Sequence, residues 1–325
     1  MKKVYLAVFI LYVVTMGATP GDPPPQATIS NGLIHARLYL PDQSNGYYRG
    51  SRFDWSGVIA ELTFAGHSYY GQWFNKYAPT LHDAIMGPVE DFSPVGYDEA
   101  GVGEDFLKVG IGMVTKPAEP KYTFANFYTI TNPGSWQIKR SRDRVEFNHT
   151  LNSQNYSYKY TKTVQLVKGK PEMILSHTLK NTGKRTIETD VYDHNFLMID
   201  QQTTGKDFVV KLPFQVTGEE RGQGGFGRLQ GNQLLFLKDL AKNDHLQYIS
   251  LQGYSNSAKD YDIRIENHKT GAAVRITCDQ PLAKLAFWSA YTTICPEPYI
   301  NLKVEAGHQY SWKIFYEFYT CETNN

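Results

Sequence analysis

The chain has 325 residues and a formal net charge of +1, with 14% aromatic and 20% charged residues. That length admits one large β domain or two ordinary ones. The near-neutral balance excludes counterion-driven nucleic-acid binding, which needs a basic face. There is also no zinc-type Cys or His spacing, no Walker loop and no nucleophile-elbow serine, so neither a cofactor nor a metal is expected.

The N-terminus reads MKK, then the apolar VYLAVFILYVVTMGA, then TPGDPPPQ. This is the layout of a secretory signal peptide, with cleavage expected near Gly17 to Pro20. The apolar stretch is short for a full membrane span, and no cysteine follows it to carry a lipid. Residues 1–20 are therefore read as a removed leader and 21–26 as a Pro-rich lead-in of no fixed structure. The mature protein is expected to be periplasmic or secreted, without stable membrane insertion.

From Ala27 onward the chain alternates strand and turn. ATISNGLIHARLYLP is a hairpin about Asn31-Gly32, and GVIAELTFAGHSYY is a second about Ala65-Gly66. FLKVGIGMVTK, TFANFYTI, SWQIKRSRDRVEFNHTL and YSYKYTKTVQLVKG continue the series. MILSHTLKNTGKRTIETDVYDHNFLMI follows, with Asn181-Thr182-Gly183 as its turn. FVVKLPFQV, QLLFLKDL, YISLQGY, YDIRIENHKTGAAVRITC, LAKLAFWSA and YSWKIFYEFY complete it. Hardly any segment holds a 3.6-residue period, no composition break marks a second domain, and no propeller-length repeat is present. The expectation is all-β: one antiparallel sandwich domain over residues 27–320. The 23 tyrosines suit strands and core, and also sugar-binding grooves, where a ring lies against a pyranose face. Cys278, Cys295 and Cys321 are an odd count; one disulfide or buried free thiols both fit.

Three segments hold the residue types that chemistry needs. Gly87 to Gly112 is Gly-rich and carries Glu90, Asp91, Asp98, Glu99, Glu104, Asp105 and Lys108. It reads as a functional loop or as a solvated acidic one, and it lacks the twelve-residue calcium spacing. In YDHNFLMID, alternation places Tyr192, His194 and Phe196 on one face and Asp193, Asn195 and Leu197 on the other. Aromatic neighbours can tune a histidine for proton transfer, or simply bury it. In YTTICPEPYI, Glu297 lies between Pro296 and Pro298. Prolines argue for a rigid bend or an edge, and such a bend near Trp288, Tyr291 and Tyr299 would fix a carboxylate base in place.

A strand histidine followed at Phe196 by an aromatic, with a glutamate about a hundred residues later, resembles the aldose 1-epimerases. These are galactose mutarotase-like β-supersandwich proteins, and the hexose-6-phosphate mutarotase type is the branch most resembled. AIMGPVEDF, Ala84 to Phe92, resembles the family's Gly-Gly-x-Pro segment. The resemblance implies that His194 is the general acid on the ring oxygen and Glu297 the general base on the anomeric hydroxyl. It puts Lys108 where the family carries a second active-site histidine, a departure that leaves the substrate open. Arg49 and Arg52, in GYYRGSRFDW, are the candidates for an anionic sugar group, with Glu90, Lys108 and Trp288 as further substrate contacts.

The expected partner is a small sugar or an oligosaccharide, and the expected activity is anomer interconversion of a free sugar or uronic acid. That activity predicts the polar atoms of His194 and Glu297 about one sugar ring apart across a groove. Two alternatives remain open. One is a non-catalytic carbohydrate-binding protein using Tyr47, Tyr48, Trp55, Tyr69, Tyr70 and Trp73 as platforms. The other is a relative of polysaccharide lyases or glycosidases, because fold alone does not choose a chemistry.

Overall fold

In the strand Gln309–Thr320, Trp312, Ile314, Tyr316 and Phe318 recur at every second position and all are buried. One face of that strand is committed to a core. It sits inside a ten-stranded sheet whose ladders are all antiparallel. A six-stranded antiparallel sheet lies against it. Phe92 of the smaller sheet meets Tyr160 and Trp312 of the larger, with ring centroids 5.6 and 6.3 Å apart. A four-stranded and a three-stranded sheet complete the computed structural model, which describes residues 22–222 and 224–324. The expected leader lies outside the described residues. No described helix is long and apolar enough to cross a membrane.

The all-β expectation holds, and so do both early hairpins. Ser30 pairs with His35 around Gly32, and Phe64 pairs with His67 around Ala65 and Gly66. All three turn residues have positive φ, as tight hairpin turns require. The lead-in is tied down rather than loose: Leu40 N–H donates to the Pro25 carbonyl at 2.8 Å. Asn181-Thr182-Gly183 does not make a hairpin. Glu172–Asn181 belongs to the ten-stranded sheet and Ile187–His194 to the six-stranded one, so the turn carries the chain between layers. Two alternating segments look the same whether they pair with each other or face each other. TFANFYTI yields only the short strand Ile130–Asn132. The three cysteines are free thiols, Cys278 and Cys295 buried and Cys321 half-buried.

The largest departure is Glu297. It lies not in a bend but within Thr293–Val304, a twelve-residue strand between Lys284–Ala290 and Ile187–His194. The prolines fit because the ladder is broken on one side. Pairing with Ile187–His194 reaches Tyr192 opposite Tyr299, then resumes only as the bridge between Leu197 and Ile294. Ile294 N–H donates to Leu197, and the Pro296 carbonyl accepts from Asn195 Nδ2, so these even positions face the break. By alternation Pro298 does too. A missing N–H costs little where no backbone acceptor stands opposite.

Candidate active site

Beside that break, a cleft of about 440 Å³ lies on the outer face of the six-stranded sheet. His194 is the last residue of its strand, and Glu297 reaches the cleft from the neighbouring one. His194 Nε2 lies 3.4 Å from Glu297 Oε1, with side chains 5% and 14% exposed. Beyond the strand, Phe196 adopts a left-handed backbone with φ of 37°. Its ring thereby stays on the cleft face and stacks on His194, centroids 3.8 Å apart and 6° from parallel. Phe53 and Trp288 meet the imidazole edge-on, and Trp73 backs Phe196.

This apolar shell decides the protonation states. Burial pushes the Glu297 carboxyl up to about 7, against the opposing pull of Arg52 and Lys284. Burial also pushes the His194 imidazole well below its usual range, and the Arg52 guanidinium adds to that. Near neutrality the imidazole is uncharged, while the carboxyl titrates in that same range. His194 Nδ1 is buried without a hydrogen-bond partner.

The cleft floor is a closed ionic set. Arg52 uses each of its nitrogens: Nε to Asp91 at 3.0 Å, one terminal nitrogen to Asp83, the other to the Tyr192 hydroxyl at 2.8 Å. Its guanidinium is sandwiched by Phe53 and Phe124, 4.4 and 4.2 Å from the ring centroids. Tyr192 also donates to Asp91, at 3.1 Å. Burial works against the Asp83 carboxylate, but His82 and Arg52 outweigh it and hold its pKa down.

The structure brings His194, Glu297, Arg52 and Trp288 to this one cleft, and leaves three expected contacts out of it. Lys108 is fully buried beneath the floor, bonded to Asp91 at 2.8 Å and to the Phe92 carbonyl. It cannot touch a substrate; as a second cation it neutralises Asp91. Glu90 points into the core, where it pairs with Lys162 and His177 of the ten-stranded sheet. It neighbours Asp91 on one strand, and alternation sends the two side chains to opposite faces. Arg49 does not line the cleft; its guanidinium lies 3.4 Å from the Gln43 carbonyl. The supposed platforms Tyr47, Tyr48, Trp55, Tyr69 and Tyr70 are buried core, and the Trp73 indole N–H is spent on the Ile85 carbonyl at 3.0 Å.

Asp83, Asp91, Lys284 and Tyr299 also line the cleft. Alternation in LAKLAFWSA would have linked Lys284 to Trp288, and alternation in VEDF would have separated Asp91 from Glu90. Asp83 lies in an irregular segment and gives no such signal.

The expected spacing of one sugar ring between the polar atoms of His194 and Glu297 is not what the chain presents. The two oxygens that exchange protons in mutarotation, ring and anomeric, are bonded to the same carbon. Two acid–base atoms 3.4 Å apart can therefore face both from one side.

No family model and no curated protein matches the chain. Solved structures do. A galactose mutarotase related enzyme from Lactobacillus acidophilus aligns with 92% of this chain and 100% of its own, at 13% identity and a TM-score of 0.55. An aldose epimerase homologue from C. elegans aligns with 92% of this chain and 99% of its own, at 13% identity and a TM-score of 0.55. The protein Slr1438 from Synechocystis covers 96% of this chain and 100% of its own, at 13% identity and a TM-score of 0.57. The chain thus has the galactose mutarotase-like β-sandwich fold. In this chain a floor of arginine, lysine and aspartates lies beneath one histidine and one glutamate.

Proposed function

We propose that this protein is an exported sugar 1-epimerase that interconverts the anomers of a free sugar. The observation that carries the reading is His194 Nε2 lying 3.4 Å from Glu297 Oε1 at a cleft with room for a hexose, in a mutarotase-like fold. Ring opening requires one proton to leave the anomeric hydroxyl and one to reach the ring oxygen. The pair holds a single proton between two groups of opposite readiness. A protonated Glu297 gives its proton to the ring oxygen while neutral His194 takes the hydroxyl proton. The C1–O5 bond breaks, the open aldehyde turns about C1–C2, and closure on the other face runs the transfers backward. Burial thus reverses the resting roles that family resemblance implies, leaving the glutamate as the resting acid. Export rests on the leader sequence of residues 1–20.

The test is proton NMR of freshly dissolved single anomers with the purified chain. Interconversion faster than the spontaneous rate, and lost in both His194→Ala and Glu297→Ala, is expected. No acceleration with any hexose or hexuronate would end the epimerase reading. A second reading, sugar binding without chemistry, has one observation in its favour: with Nδ1 unpartnered, no hydrogen bond fixes the His194 tautomer. Line broadening of a sugar that is not interconverted would establish it.

A further inference from the structure

Two cationic side chains, Arg52 and Lys284, line the cleft, and they differ in one respect. Arg52 is engaged on each of its nitrogens by Asp83, Asp91 and Tyr192. Lys284 makes no ion pair or hydrogen bond among the described residues; its ammonium rests over the Tyr299 ring, 4.6 Å from the centroid. Lys284, Ala286 and Trp288 alternate along one strand and all line the cleft. Across the ladder Lys284 stands opposite Tyr299, and Ala286 stands opposite Glu297. The lysine therefore lies two residues, about 7 Å of strand, from the acid–base pair. That displacement is about the width of a sugar ring.

We infer that the cleft takes a sugar bearing an anionic group, with Lys284 as the residue that contacts that group. The inference rests on the anomeric reading of His194 and Glu297 for the placement of the ring. With the ring and anomeric oxygens at that pair, the exocyclic carbon of a hexopyranose lies beside the ring oxygen and projects along the sheet. A carboxylate or phosphate carried there comes within reach of a lysine side chain. The floor supplies no competing attraction, because Arg52 and Lys108 together balance Asp83 and Asp91. In the wall, the ammonium of Lys284 acts on the Glu297 carboxyl from a distance but is bonded to no carboxylate among the described residues, and being half-buried it is only partly screened. The stacked rings of Tyr192 and Tyr299, centroids 4.4 Å apart, form the apolar wall beside it.

The experiment measures anomer exchange by the full chain on three sugars of one configuration: a neutral hexose, its hexuronate and its 6-phosphate. The expected result is a kcat/KM for one of the anions at least tenfold above that for the neutral sugar. Lys284→Met should reduce that ratio by about tenfold to a hundredfold, the worth of one hydrogen bond to a charged group, and Lys284→Arg should retain it. Preference for the hexuronate identifies a carboxylate as the recognised group, and preference for the 6-phosphate identifies a phosphate. Equal kcat/KM on all three sugars overturns the inference. So does Lys284→Met lowering all three alike, which would show that the lysine acts on the Glu297 proton instead. If no sugar is interconverted at all, the epimerase reading fails by itself. Lys284 is then judged by calorimetric titration with the same sugars. Anion binding that Lys284→Met weakens upholds the contact, and indifference to the anion sinks it.

Discussion

Glu90 and Glu297 are the same residue on opposite faces of one sheet, both almost withdrawn from water, and they end up as opposite kinds of group. Glu90 has Lys162 on one oxygen and His177 on the other, at 2.7 Å. Burial alone would raise its pKa, but these two partners outweigh burial and hold the carboxyl at about 2. Glu297 has an uncharged imidazole at 3.4 Å, and the pull of Arg52 and Lys284, neither of them bonded to it, does not outweigh burial, so the carboxyl rises to about 7. Burial does not make a catalytic acid, and neither does a carboxylate in a groove. The difference is whether a buried cation is bonded directly to the carboxylate, as Lys162 is to Glu90, or committed to other partners, as Arg52 is.

The sharpest way to break that comparison is to neutralise each glutamate in turn. Glu90→Gln should cost about 3–5 kcal/mol of stability, because it strands Lys162 in the core; urea denaturation would show it, and a smaller loss would mean that Lys162 finds another partner. Glu297→Gln should leave the fold intact and lower the anomer-exchange rate by about a hundredfold to ten-thousandfold. The pH dependence should run in opposite senses. Glu90 has a depressed folded pKa, so its stabilisation is present above the unfolded carboxyl value of 4.5 and is lost as pH falls toward 2. Glu297 has a raised folded pKa, so wild type loses stability relative to Glu297→Gln as pH rises from 4.5 through 7. Denaturation midpoints of the two proteins at acidic and at mildly alkaline pH would test this. Activity should also fall as pH rises through about 7, because the resting acid is lost, and that limb belongs to the pair rather than to either residue. A rate that instead rises through 7 would restore Glu297 as the resting base. The smallest effect belongs to Trp288→Phe. It keeps an aromatic edge toward His194 while losing area, and should weaken sugar binding by no more than about tenfold, or 0.5–1.5 kcal/mol.

Much of this was legible in period-two alternation. The split of Tyr192, His194 and Phe196 from Asp193 and Asn195 stands: the first three line the cleft, and the others accept or share hydrogen bonds with Tyr316 in the core. Asn31-Gly32 and Ala65-Gly66 were legible because a positive φ limits the residues that fit. What escaped was pairing. Nothing local says that Thr293–Val304 is a central strand, since the two prolines are tolerated only because a different strand departs beside them. Lys108 reads as a groove cation in sequence for the same reason: it is buried against Asp91, which stands on a strand of a different sheet. Charge compensation is a property of the assembled sheet, and the residues that provide it lie far apart in the chain.

Pro296 and Pro298 also bear on how the cleft behaves before anything binds. Facing the break with no N–H to offer, they deny the Ile187–His194 strand the bonds that would let it zip onto its neighbour past Tyr192. The break therefore has no fully laddered form to compete with it. The outer face beside it, where the cleft lies, keeps its spacing from the folding of the sheet, and the binding free energy of a ligand there need not be spent on parting strands.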